Sequence, residues 1–106
     1  MTATMEAVFN DVVLARSEHT VRVEGNVYFP PESVAWQHLS PTPVRSLCFW
    51  KGVAGYFTVT VGGAQSRNAA WTYRHSSPLA RRIKNHVAFW NGVEVRAVSG
   101  RRDDEA

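Results

Sequence analysis

Apolar and polar residues alternate almost one for one along much of this chain, and turn residues interrupt the alternation at short intervals. A period of two places successive side chains on opposite faces of an extended strand, so the pattern describes an antiparallel β domain. "EAVFNDVVLA" reads as two short strands joined at Asn10-Asp11. "TVRVEGNVYF" alternates Val21 and Val23 with Arg22 and Glu24, turns at Gly25-Asn26 and resumes from Val27 to Phe29. "HVAFWNGVEVRAV" repeats that grammar with Asn91-Gly92 between an aromatic run and alternating valines, and is the strongest hairpin signal in the chain. In "VAGYFTVTV", the longest strand, Val53, Gly55, Phe57, Val59 and Val61 share one face, and Ala54, Tyr56, Thr58 and Thr60 share the other. "GGAQSRN" reads as a polar loop and "AAWTYRH" as a further strand.

Two stretches break the period. In "SPLARRIKN", Ser77 stands where an N-cap belongs and Pro78 at the first helical position, with Leu79 and Ile83 four apart on one face. This predicts one short helix over residues 77–85. "PPESVAWQHL" predicts a helical turn over residues 31–39, with Val34 and Leu39 inward and the prolines of "SPTP" ending it. No linker or low-complexity tract divides the chain, so the expectation is a single domain over 1–106. Its ordered core runs from about 7 to 97, and the charged tail, 99–106, is expected to be flexible.

Composition narrows the partners. The 44% apolar and 20% charged content is that of an ordinary globular chain. No apolar run approaches the roughly 20 residues of a membrane span, and the N-terminus lacks the pattern of a secretory signal. One cysteine leaves no disulfide within the chain and suits a cytoplasmic location. The net charge is +3, and Arg101 and Arg102 lie beside acids that largely cancel them. That balance describes a solvated surface better than a nucleic-acid footprint.

Candidate chemistry centres on "SLCFWKG". Cys48 is either a nucleophile activated by Lys51 or a small buried hydrophobe. The two side chains converge only if the strand stops or bends at Lys51-Gly52. His19, His38, His75 and His86 have no metal-ligand spacing. There is no phosphate-binding Gly-Lys-Ser/Thr loop, and the adjacent acids Asp103, Asp104 and Glu105 fall in the tail. No cofactor or metal is expected. What stands out is aromatic: Tyr28, Tyr56, Trp71 and Tyr73 would wall a concavity if their strands pair, with Lys51 or Arg16 at its mouth. The same rings would equally serve as a core with polar tips reaching the surface.

"VEGNVYFPPESV", "CFWKGVAGYFTV", "AAWTYR" and "IKNHVAFWNGVEV", in this order, resemble domain-of-unknown-function family 427 from about Ala7 to Ala97. That family also carries a nucleotidyltransferase label. The resemblance implies a small, mostly antiparallel domain similar to the β-tent folds, whose sheets lean together over a groove. Tyr28, Cys48, Lys51, Gly52, Tyr56, Trp71 and Tyr73 match the family pattern. The chain departs from it at Arg16, where the family has an acid, at Phe49 after Cys48, where it has proline, and at "RHSS" after Tyr73, where it has proline. The Cys pairs that hold zinc in many β-tent proteins are missing.

Three functions compete at this point. The first is a binding domain for a small anionic or aromatic ligand held by Tyr28, Lys51, Tyr56, Trp71, Tyr73 and Arg16. The second is an enzyme working through Lys51 or Cys48, and the third is a nucleic-acid module using rings and arginines. A homodimer through an exposed strand edge is a further expectation, and Lys51-Gly52 is the expected centre of function.

Overall fold

A computed structural model describes residues 3–98 of the chain. Asn10 and Asp11 both take left-handed backbone angles, φ 50° and 65°, and close β1 (Met5–Phe9) on β2 (Val12–Ser17) as expected. β3 (Val21–Val23) and β4 (Asn26–Tyr28) form a second hairpin. Its turn is Glu24-Gly25, with φ 53° and 82°, one residue earlier than the expected Gly25-Asn26. Glu24 takes this left-handed turn position, and its carboxylate is bonded by Trp50 and Lys51.

The largest sheet joins β5 (Leu39–Cys48), β6 (Gly52–Val61), β7 (Ala64–Thr72) and β8 (Val87–Phe89) in chain order. Phe29 and Val87 exchange two backbone hydrogen bonds of 2.8 and 2.9 Å, and this single bridge ties the residue after the β3–β4 hairpin to β8. β5 is its edge and carries Pro41 and Pro43, as a strand with a free side allows. "GGAQSRN" is not a loop: Gly62-Gly63 alone turns, and β7 begins at Ala64. Its polar residues reflect an exposed hairpin end, where ladder hydrogen bonds rather than side-chain burial hold the strand.

The "HVAFWNGVEVRAV" segment differs more deeply. Asn91 and Gly92 make the expected turn, with φ 50° and 100°, and the Val93 N–H bonds the Trp90 carbonyl at 3.1 Å. Yet β8 pairs with β7, while β9 (Glu94–Ala97) pairs with β1 to give a sheet ordered β2-β1-β9. The Trp90 N–H is taken by the Ala69 carbonyl at 2.9 Å, and the Asn91 side chain bonds the Arg67 carbonyl at 3.1 Å. The turn therefore carries the chain from one sheet to the other. All pairings between named strands are antiparallel.

The helical segments are short 3₁₀ turns: Pro31–Ser33, Trp36–His38 and Pro78–Ile83, the last kinked at Ala80. Val34 and Leu39 point inward as expected. In the third segment a period of three buries Ala80 and Ile83, whereas Leu79, expected to share Ile83's buried face, is exposed. Ser77 makes no side-chain cap; its hydroxyl donates to the Trp50 carbonyl instead.

Two cores lie on opposite faces of the main sheet. The first, with Leu14, Phe29, Val59 and Val87 completely or almost completely buried, joins it to the β2-β1-β9 sheet. The second packs Ala54, Tyr73 and Ala88 beneath Val23 and Tyr28 of the hairpin and Ala80 and Ile83 of the 3₁₀ turn. Among the described residues no helix is long and apolar enough to cross a membrane. The expected tail, residues 99–106, lies outside the described residues.

One close approach ties the β5–β6 hairpin to the segment after β7. Gly52 has φ 116°, and a Cβ there would lie 2.8 Å from the His75 carbonyl oxygen. Gly25, at φ 82°, has open space around it. Gly25→Ala is therefore expected to cost only the backbone term of about 1 kcal/mol, and Gly52→Ala distinctly more, because backbone must also shift. Urea unfolding of both variants checks the difference.

Candidate binding groove

The face of β6 that buries Phe57, Val59 and Val61 continues through Gly55 to Val53, but the first core stops at Phe57 and Val53 is half exposed. Over Gly55 the sheet opens into a groove of about 590 Å³. On one side the β5 ladder is interrupted between Pro41 and Arg45. There the Arg45 guanidinium folds back, donating to the Thr42 and Val44 carbonyls at 2.8 Å each. A Cβ on Gly55 would lie 3.7 Å from that guanidinium, so the missing side chain is what keeps the floor low. On the other side Thr72 of β7 stands opposite Gly55, and Arg74 and His75 follow it.

The last two are placed by backbone contacts, with the Ser77 N–H bonding the Lys51 carbonyl at 3.0 Å and Ser76 bridging to Gly52. None of the groove's lining residues is acidic. A second hollow of about 240 Å³, lined by Pro31, Trp36 and Asn85, shares Thr72 and Arg74 with it. Among the described residues no three of His, Cys, Asp and Glu converge as a metal would require.

The residues expected from sequence gather on the opposite face of the sheet. Tyr56 and Trp71 are cross-strand partners with rings 6.3 Å apart, and Tyr28 meets Trp71 edge-on at 6.2 Å. The Trp71 indole N–H donates to the Tyr28 hydroxyl at 3.3 Å. Lys51 Nζ lies 5.6 Å from the Tyr73 ring centre and 2.5 Å from Glu24 Oε1, and the Trp50 indole N–H donates to Glu24 Oε2. Cys48 is a free, half-buried thiol packed against this second core. Tyr28, Tyr73 and Lys51 are all buried, so these rings fill space rather than enclose it. Arg16 is not with them; it sits on β2 with its guanidinium 3.8 Å from Glu6, which Arg96 also holds from β9.

Burial alone would lower the Lys51 pKa, but the hydrogen bond to Glu24 and the surrounding Tyr28, Tyr73 and Cys48 leave it raised. Both the ion pair and the direction of the shift favour the charged ammonium form of Lys51. Glu24 is lowered, first by its bond to Lys51 and then by Trp50. Burial pushes the Tyr73 phenol up, against the pull of the Lys51 charge.

Sequence reasoning missed Arg45, Thr42 and Thr72 as site residues. Arg74-His75 left one signal, as part of the "RHSS" that stands where the resembled family has proline. Arg45 left none, because its position depends on a ladder interruption two strands away from Arg74.

The Glu24–Lys51 pair makes a pH prediction. A lowered carboxylate contributes stability above its ordinary value of 4.5 and loses it as pH falls through the folded value. A raised ammonium contributes below 10.5 and loses it as pH rises through the folded value. Wild type is therefore expected to melt above Glu24→Gln by a constant margin between these limits, with the curves converging in acid. Thermal melts across pH measure it.

The family model for a domain of unknown function (DUF427) matches residues 1–100. A search of curated proteins finds no match.

Proposed function

This chain belongs to the DUF427 family, and from its geometry we propose that it is a binding domain for a small organic anion, held in the groove over Gly55. The observation that carries the reading is the convergence of Arg45, Arg74 and His75 on one hollow with no acid in its lining. Guanidinium groups present a planar fork that suits carboxylate or phosphate, and charge-assisted bonds of this kind are stronger than neutral ones. The volume falls in the ordinary range for small-molecule sites. Phe57 and Pro41 supply apolar wall, while the Thr42 and Thr72 hydroxyls donate to Asn68 Oδ1 and the His86 carbonyl and so brace the lining.

In this reading Lys51, Tyr28, Trp71 and Tyr73 serve the groove from behind. They fill the reverse face of the sheet, and the Lys51 carbonyl and Gly52 hold the segment that bears Arg74 and His75. Tyr56 belongs to both sides, as a groove-lining residue and a neighbour of Trp71. An enzymatic role for Lys51 has less support, since its charge is engaged by Glu24.

The test is isothermal titration of inorganic phosphate and benzoate into wild type, Arg74→Ala, Gly55→Leu and Trp71→Phe. Losing one charge-assisted contact is expected to weaken binding about tenfold or more in Arg74→Ala. Gly55→Leu fills the groove and is expected to abolish binding, while Trp71→Phe leaves it intact. The opposite pattern, with Trp71→Phe abolishing binding and the groove variants silent, would move the site to the aromatic face.

A further inference from the structure

We infer that the anion bound here carries a planar ring, seated in the adjoining hollow against Trp36: an aromatic carboxylate or an aryl phosphate. This rests on the reading of the main groove as an anion site. The two hollows share Thr72 and Arg74, so one molecule of modest length occupies both at once.

The smaller hollow has the features that a ring requires. Trp36 lines it and is 39% exposed, although its indole packs edge-on against the core residue Phe57 at 5.6 Å. The indole N–H is already satisfied by the Pro31 carbonyl at 2.9 Å. What Trp36 still offers is therefore its π surface, and the contacts with Phe57 and Pro31 hold that surface in one orientation. Pro31 adds a rigid apolar wall.

Asn85 lies on the same hollow in a left-handed conformation, φ 64°, fixed by its N–H bond to the Tyr73 carbonyl at 3.0 Å. Its exposed amide both donates and accepts, which suits the edge of a substituted or heteroatom-bearing ring. Arg74 stands on both hollows, where its guanidinium bonds the acid or stacks on the ring. In size, a cavity of roughly 150 Å³ takes up benzene, and this hollow is about 240 Å³.

The experiment compares, on the full chain by calorimetry, phenyl phosphate with inorganic phosphate and benzoate with acetate. The phosphate and carboxylate pairs separate the two kinds of acid. In wild type the ring-bearing member of at least one pair is expected to bind about tenfold tighter. Trp36→Leu and, separately, Asn85→Gly are expected to remove that advantage, bringing the ring-bearing ligand down to the affinity of its ringless partner. Asn85→Gly keeps the backbone conformation accessible, so the test survives a Trp36 variant that folds poorly. Equal affinity within both pairs, with binding still dependent on Arg74, overturns the ring subsite and leaves the anion reading standing. A ring advantage that survives both variants also overturns it. No binding by any of the four overturns both readings.

Discussion

β6 is packed on both faces, and most of the architecture answers to that. Phe57, Val59 and Val61 turn toward the β2-β1-β9 sheet, while Ala54 and Tyr56 turn toward the hairpin and the kinked 3₁₀ segment. A strand with apolar residues on both sides needs a layer over each, because leaving such surface in water costs about 25 cal/mol per Å². The β3–β4 hairpin and Pro78–Ile83 provide the second layer; neither is long enough to have a core of its own. Cover over the first face ends at Phe57, and the groove is what remains of that face beyond it. The concavity is thus a consequence of unequal layer lengths, and its floor is low because residue 55 is glycine.

Lys51 and Gly52 work at the junction of these layers. The Lys51 side chain reaches Glu24 at the tip of the hairpin, its carbonyl holds Ser77, and Gly52 lets the backbone of His75 come close. Three segments distant in sequence meet at two residues. The pair is partly exposed through Glu24, so its worth lies more in fixing geometry than in bulk stability. The groove on one face and the aromatic cluster on the other both border this junction, since Arg74 and His75 lie on the segment that Lys51 and Gly52 contact.

Much of the fold was legible because its signals are local. Asn10-Asp11 dictates a two-residue turn by backbone conformation alone, and the alternation from Phe57 to Val61 dictates which side chains share a face. Local signals also explain the misreadings. Asn91-Gly92 turns the chain as any such pair does, but whether the outgoing strand returns to β8 or leaves for β1 depends on which ladder offers free donors and acceptors. The polar run Gln65-Ser66-Arg67 resembles a loop because exposed strand ends have no need of apolar residues. Leu79 looked like Ile83's partner only at the α-helical period, and the observed period is three.

The candidate site divides along the same line. Tyr28, Lys51, Tyr56, Trp71 and Tyr73 were foreseeable as a group, since large rings on adjacent strands meet wherever those strands pair. The burial of Tyr28, Lys51 and Tyr73 was not foreseeable, because it depends on a hairpin and a 3₁₀ turn arriving from elsewhere in the chain. Arg45 comes from β5 and Arg74 and His75 from the turn after β7, on either side of β6, and no spacing along the chain expresses that neighbourhood. The sequence by itself determined the strands, the turns and the two-sided character of β6, all matters of a few bonds between near neighbours. Only the tertiary structure decided which sheet each strand joined, which face was closed and where the cations converged, because those outcomes depend on competition among distant segments for the same backbone groups and the same apolar surface.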